Sequence, residues 1–255
     1  MTRPVALVTG GAKRIGAALA LSCAQAGYDV IVHHRSSPDE AEATAEELRA
    51  TGVRAALVQG DLALEADRAT VVPRALEAFG RLDLLINNAS LFEYDDLAGL
   101  TEGSLQQHMA VNVFAPLMLT KAFAAALPDD REGVVVNMLD HKVEHPNPDF
   151  FAYTTSRVAI AGMTGALALA LAPRIRLNGI APGLTLPSMG WKNADFDAGA
   201  AALPLKRSTP VSDLCAALRF ILEARSLTGQ ILTVDSGASL SPRLRDLEFE
   251  GEAKP

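Results

Sequence analysis

Cysteine is nearly missing from this chain: its 255 residues include two, Cys23 and Cys215. Each sits inside an apolar helical pattern, without a His or Cys at ligand spacing, so neither a disulfide framework nor a metal site is expected. Both read as buried core thiols of a protein kept in a reducing compartment. A long basic run is missing too. Lys and Arg total 23 against 30 Asp and Glu, a net charge of −7. That balance suits a soluble enzyme and argues against nucleic-acid or membrane-surface partners. No uninterrupted apolar stretch reads as long enough to span a bilayer; even the Ala/Leu-rich region from Gly162 to Ala172 falls short. Met1 runs straight into a strand-like segment, leaving no room for a signal peptide, and the expected location is the cytoplasm. With no break in composition and no internal repeat, one domain is expected.

What is present is an apolar half, 49% of the residues, enough for a substantial core. Strand-like runs occur at Val5–Thr9, Asp29–His33, Val53–Gln59, Leu82–Asn87, Gly133–Met138, Ile175–Gly179 and Gln230–Val234. Between them lie helical patterns over Arg14–Ala26, Asp39–Ala50, Glu65–Phe79, Thr101–Leu127, Phe151–Ala172 and Val211–Ala224. Runs such as Leu84-Leu85-Ile86 and Val134-Val135-Val136 are apolar throughout, as in strands covered on both faces. The alternation predicts an α/β, doubly wound Rossmann-type domain, a seven-stranded parallel sheet between two helix layers. Two regions break the rhythm. Pro182–Pro210 holds four prolines and the only tryptophan, Trp191, and reads as a long substrate loop. The charged tail, residues 241–255, reads as a flexible or subunit-contacting extension.

Directly after the first strand comes Thr9-Gly10-Gly11-Ala12-Lys13-Arg14-Ile15-Gly16, then a helix. Glycines there let the backbone approach a pyrophosphate, while the helix N-terminus offers oriented N–H donors. The bland alternative is a tight turn without a ligand. The second strand ends in His33-His34-Arg35-Ser36-Ser37, with no carboxylate before Asp39 to accept from a ribose 2′-hydroxyl. His34, Arg35 and Ser36, beside Lys13 and Arg14, instead suit a 2′-phosphate, so NADPH is the expected cofactor. The alternative is a solvated basic loop.

These residues resemble the short-chain dehydrogenase/reductase family from Val5 to Leu240. That family's glycine motif has a third glycine where this chain has Arg14. Arg there, with the His-Arg-Ser strand end, is similar to the pteridine reductase branch. The resemblance implies further roles. Asn87 of Asn87-Asn88-Ala89 would steady the sheet, and Asn88, Ala89 and Ser90 would lie near the cofactor. Asp61-Leu62 would meet the adenine. Pro182-Gly183-Leu184-Thr185 would border the nicotinamide, with Ile15 and Gly16 at the phosphates. Asn112 matches an asparagine that bends the long helix and holds a water in a proton relay. The resemblance also implies a homotetramer built through the Thr101–Leu127 and Phe151–Ala172 helices.

The family's Tyr-x-x-x-Lys motif falls at Tyr153-Thr154-Thr155-Ser156-Arg157. Four-residue spacing puts both side chains on one helix face. A free tyrosine, with a pKa of about 10, needs on the order of 4 kcal/mol of phenolate stabilisation to titrate near neutrality. A neighbouring cation supplies part of that, which makes Tyr153 the candidate general acid. Arg157 departs from the motif: it keeps the charge but is bulkier, planar and never deprotonated. Asp140 stands thirteen residues before Tyr153, where the family usually has serine. An aspartate there again resembles pteridine reductases, and a carboxylate suits the N–H-rich edge of a pterin. Phe92 falls where those reductases stack a ring on the pterin, although a packing phenylalanine would look the same. Arg14, Ser90, Phe92, Asp140 and Tyr153 are thus the candidate substrate contacts, with Leu186, Met189 and Trp191 as lid residues. The expected reaction is NADPH-dependent reduction of a pteridine C=N bond. Reduction of a carbonyl or 3-oxoacyl thioester, or NADPH binding without catalysis on account of Arg157, are the alternatives.

Overall fold

A computed structural model of the chain describes residues 3–187 and 193–249. Seven parallel strands form one sheet in the order β3-β2-β1-β4-β5-β6-β7. They are β1 (Val5–Val8), β2 (Asp29–His34), β3 (Ala55–Gln59), β4 (Leu84–Asn87), β5 (Gly133–Met138), β6 (Ile175–Pro182) and β7 (Ile231–Val234). Both faces are covered, as the all-apolar strands require. Period-two alternation sends Ala6 and Val8 into one buried cluster and Val5 and Leu7 into the other. The first cluster is closed by α1 (Arg14–Gln25), α2 (Pro38–Ala50) and α9 (Val211–Glu223), through Leu19, Cys23, Leu214 and Leu218. The second is closed by α3 (Glu65–Phe79), α5 (Ala115–Ala126) and α7 (Thr164–Leu171), through Val71, Leu119 and Phe123. Cys23 and Cys215 are free and buried, as their apolar settings imply.

Three expectations are corrected. The helix expected over Thr101–Leu127 is two helices, α4 (Glu102–Met109) and α5, joined by a π-helical turn at Ala110–Phe114. The one expected over Phe151–Ala172 divides at Met163 into α6 (Phe151–Gly162) and α7. The long loop contains α8 (Asn193–Ala202), while Met189 and Trp191 lie outside the described residues. The stretches Glu102–Ala126 and Phe151–Leu171 do have the length and composition to cross a bilayer. Here they form layer helices packed on the sheet and on each other. Sheet order reverses between β1 and β4, and the carboxyl ends of the strands flanking that point open a crevice, the usual ligand position in such sheets.

Candidate active site

The turn after β1 is built for close approach. Gly10 has φ +59°, and a Cβ there would lie 3.0 Å from the Ala89 Cα. At Gly16 a Cβ would sit 2.1 Å from the Gly10 carbonyl oxygen, so no side chain fits. Thr9 Oγ1 accepts from the Asn88 and Ala89 N–H groups, at 2.9 and 3.0 Å, stitching the turn to the end of β4. Arg14 adopts φ +55°, which explains why a glycine is the easier residue there. Its guanidinium donates to the Pro187 carbonyl at 2.9 Å and so reaches across to the substrate loop. Helix α1 begins at an extended Lys13, with no side-chain cap and no acidic residue in its first turn. Its leading N–H groups are therefore open to an anion.

His33, which sequence reasoning left as a strand end, clamps this turn. The Gly10 N–H donates to His33 Nδ1 at 3.2 Å, and His33 Nε2 lies 3.1 Å from the Gly60 carbonyl. Accepting at Nδ1 and donating at Nε2 requires the neutral ring, and burial pulls its pKa down to about 4. Beyond it His34, Arg35, Ser36 and Ser37 line the crevice. His34 Nδ1 is buried without a partner among the described residues. Lys13 is held 3.5 Å from Glu40 across the turn. Asp61 and Leu62 complete this end.

At the other end Tyr153, Asp140 and Arg157 come together. The Tyr153 hydroxyl donates to Asp140 Oδ2 at 2.8 Å. Burial alone would raise Asp140, but His141, 3.1 Å away, and the Lys142 N–H at 2.8 Å outweigh it and hold the carboxyl at about 2. Burial works against a charge on His141 as well, yet Asp140 and the more distant Asp246 and Asp235 lift its pKa above the ordinary value. At Tyr153 burial first, then the Asp140 charge, pushes the pKa upward, and Arg157 only partly opposes them. The reason is geometric. The buried Arg157 guanidinium lies over the tyrosine ring, 5.2 Å from its centroid, and gives one N–H to the Met138 carbonyl at 2.8 Å. Its Nε has no partner among the described residues.

Asn112 stands in the π-helical turn, fully buried, and does not line the crevice. Its Oδ1 accepts from the Leu91 N–H at 2.8 Å, and its Nδ2 donates to the Leu91 carbonyl and to Ser156 Oγ, each at 2.9 Å. It therefore ties the bent helix to the loop that carries Ser90 and Phe92. Asn87 Nδ2 donates to Asn137 Oδ1 at 2.8 Å, joining β4 to β5. Phe92 is 42% exposed, with Tyr153 edge-on at 4.6 Å and Phe150 stacked at 4.4 Å. Asp95 was not anticipated. Its carboxylate accepts from the Ala152 N–H at 3.0 Å and its carbonyl from the Phe151 N–H at 3.2 Å, capping α6 two residues before Tyr153.

One crevice of about 510 Å³ is lined by all of the expected cofactor and substrate residues except Leu184. The Leu184 carbonyl instead accepts from the Thr209 N–H at 2.7 Å. A family model described as short chain dehydrogenase matches residues 4–197. The crystal structure of FolM alternative dihydrofolate reductase 1 from Brucella suis in complex with NADP is 42% identical, with a TM-score of 0.90, covering 95% of this chain and 97% of that one. The Brucella canis protein, complexed with NADP, is 41% identical at a TM-score of 0.88, covering 93% and 95%. A 3-oxoacyl acyl-carrier-protein reductase from Staphylococcus epidermidis is 29% identical over 91% of this chain and 97% of its own length.

Proposed function

The chain belongs to the short-chain dehydrogenase family and is an NADP-dependent oxidoreductase; we propose that it reduces a C=N bond in a pteridine-like heterocycle. The observation that carries this reading is the Tyr153–Asp140 hydrogen bond of 2.8 Å beside the exposed ring of Phe92. NADPH fits the crevice on two counts: a helix terminus at the glycine turn without a side-chain cap, and buried nitrogens on His34 and Arg157 that have no partner among the described residues. His34, Arg35 and Ser36 would hold its 2′-phosphate, and Asp61, Leu62, Asn88, Ala89 and Ser90 would flank its adenosine half. Ile15, Pro182, Gly183 and Thr185 would border the remainder. Bound there, NADPH supplies the hydride.

The protein's own part is the proton and the orientation. Tyr153 keeps its hydroxyl proton at neutral pH, because burial and the Asp140 charge both disfavour the phenolate. A proton-loaded tyrosine suits donation to a ring nitrogen, hence reduction. Asp140, ionised, offers its oxygens to the N–H donors of an amino-pyrimidine edge. Phe92 presents a face for offset stacking, worth on the order of 1 kcal/mol beyond area burial. The relatedness to FolM alternative dihydrofolate reductase 1 supports the same substrate class. The second reading, a 3-oxoacyl thioester reductase, is favoured by the Staphylococcus epidermidis relative and disfavoured by an aspartate at position 140. Following NADPH consumption with dihydrobiopterin, dihydromonapterin, dihydrofolate, an acetoacetyl thioester and a ketone panel separates the two. Turnover of the thioester or ketones alone would sink the pteridine reading.

A further inference from the structure

The described part of the charged tail, residues 241–249, expected to be flexible or to contact a subunit, docks on its own chain beside the catalytic pair. Asp149, buried, accepts from Arg245 Nε at 2.8 and 3.1 Å and from the Asp246 N–H at 2.7 Å. Asp246 Oδ2 accepts from Lys142 Nζ at 3.0 Å, and that same buried ammonium donates to the Asp149 carbonyl at 2.9 Å. Phe249 meets Tyr94 edge-on at 5.0 Å and lies 6.0 Å from the ring of Phe150. The short turn Leu247–Phe249 packs beside α8. The tail's own residues Arg245, Asp246 and Phe249 lie beyond residue 197, where the family match ends.

Each anchor is one step from the crevice. Lys142, pinned by Asp246, gives its backbone N–H to Asp140 Oδ1 at 2.8 Å. Phe150, backed by Phe249, stacks on Phe92 at an interplanar angle of 19°. Phe150 also holds φ +56° at the start of α6, a left-handed conformation that a bulky side chain keeps only when its surroundings impose it. We infer that Arg245–Phe249 is a positioning element of the active site: Asp246 orients Asp140 through Lys142, and Phe249 orients Phe92 through Phe150. The inference rests on the reading that Asp140 and Phe92 face the substrate, and it deepens that reading by locating part of the substrate specificity in the tail.

The two arms carry different kinetic signatures. Asp246→Asn keeps the shape but removes the charge facing Lys142, so Asp140 loosens its hold on the hydroxyl of Tyr153, the proton donor. The expected result is a fall in kcat of about 10- to 100-fold, the scale of an ångström-sized misplacement, with KM for the dihydropterin nearly unchanged. Phe249→Leu removes the ring behind Phe150 and is expected to raise KM about 3- to 10-fold with kcat kept, the scale of one lost aromatic contact. Phe249→Tyr should restore the parent KM, and NADPH affinity should hold in all three variants. A tail with only a structural role would shift the melting temperature while moving kcat and KM together, or neither. That outcome, or variants kinetically equal to the parent, overturns the inference. Failure of the parent itself to reduce any dihydropterin overturns the functional reading first, and the inference with it.

Discussion

At the scale of single residues, the site depends on which charge lies nearer the Tyr153 hydroxyl. Asp140 is hydrogen-bonded to it, while Arg157 spends an N–H on the Met138 carbonyl. The sequence placed Tyr153 and Arg157 on one helix face and Asp140 thirteen residues earlier, and the fold brings all three together. What spacing could not show was the balance between them, because it depends on burial and on His141 and Lys142 next to Asp140. Tyr153→Phe is expected to abolish turnover while leaving NADPH affinity within about twofold, since only the phenolic proton is lost; steady-state kinetics and cofactor titration check this. Arg157→Lys should keep or raise kcat, because a compact ammonium can both bond ribose hydroxyls and join a proton relay, whereas a guanidinium is effectively never deprotonated. A lysine variant well below the parent in kcat would show that the arginine fork itself is required.

At the scale of elements, the strands and the first turn were legible; a bend at Asn112 came only from the family resemblance, and the break at Met163 from nothing in the sequence pattern. All-apolar tripeptides and a glycine turn are local signals. The π-helical turn at Ala110–Phe114 is held by Asn112 bonding to Leu91, a contact 21 residues away that periodicity does not encode. The His33 clamp was hidden for the same reason, since its partners come from the glycine turn and the end of β3. It yields a pH dependence of stability. Folded, His33 titrates at about 4 against an ordinary 6.5. Between those values the unfolded chain binds a proton that the folded chain refuses, so stability rises with pH across that window. The contribution, on the order of 3 kcal/mol, is complete above about 6.5 and lost as pH falls to about 4. Urea unfolding at stepped pH is expected to show this slope in the parent and a flatter one in His33→Asn.

At the scale of the whole molecule, two features concern association and ligand linkage. Phe114, Met118, Val158, Met163 and Leu169 leave apolar surface on the helices through which a tetramer is expected. Sedimentation should give a tetramer mass, and Leu169→Glu, at a side chain 81% exposed in the isolated chain, a smaller species. Cofactor linkage reaches the entire fold, because the crevice unites the ends of β1, β2, β4 and β5 and exists only when the sheet is assembled. NADPH at 100 times its Kd should add about 2.7 kcal/mol to stability. For a domain of this size each kcal/mol moves the melting temperature roughly 2–4 °C, so a rise of about 5–10 °C is expected. NADH brings no 2′-phosphate to His34, Arg35 and Ser36 and should raise it distinctly less at equal concentration. Arg35→Ala should narrow the difference between the two cofactors by about 1–3 kcal/mol, the scale of one charge-assisted hydrogen bond, by weakening NADPH and sparing NADH. Melting curves with each cofactor read this directly. Equal rises with NADH and NADPH in the parent would place the selectivity elsewhere than at the end of β2.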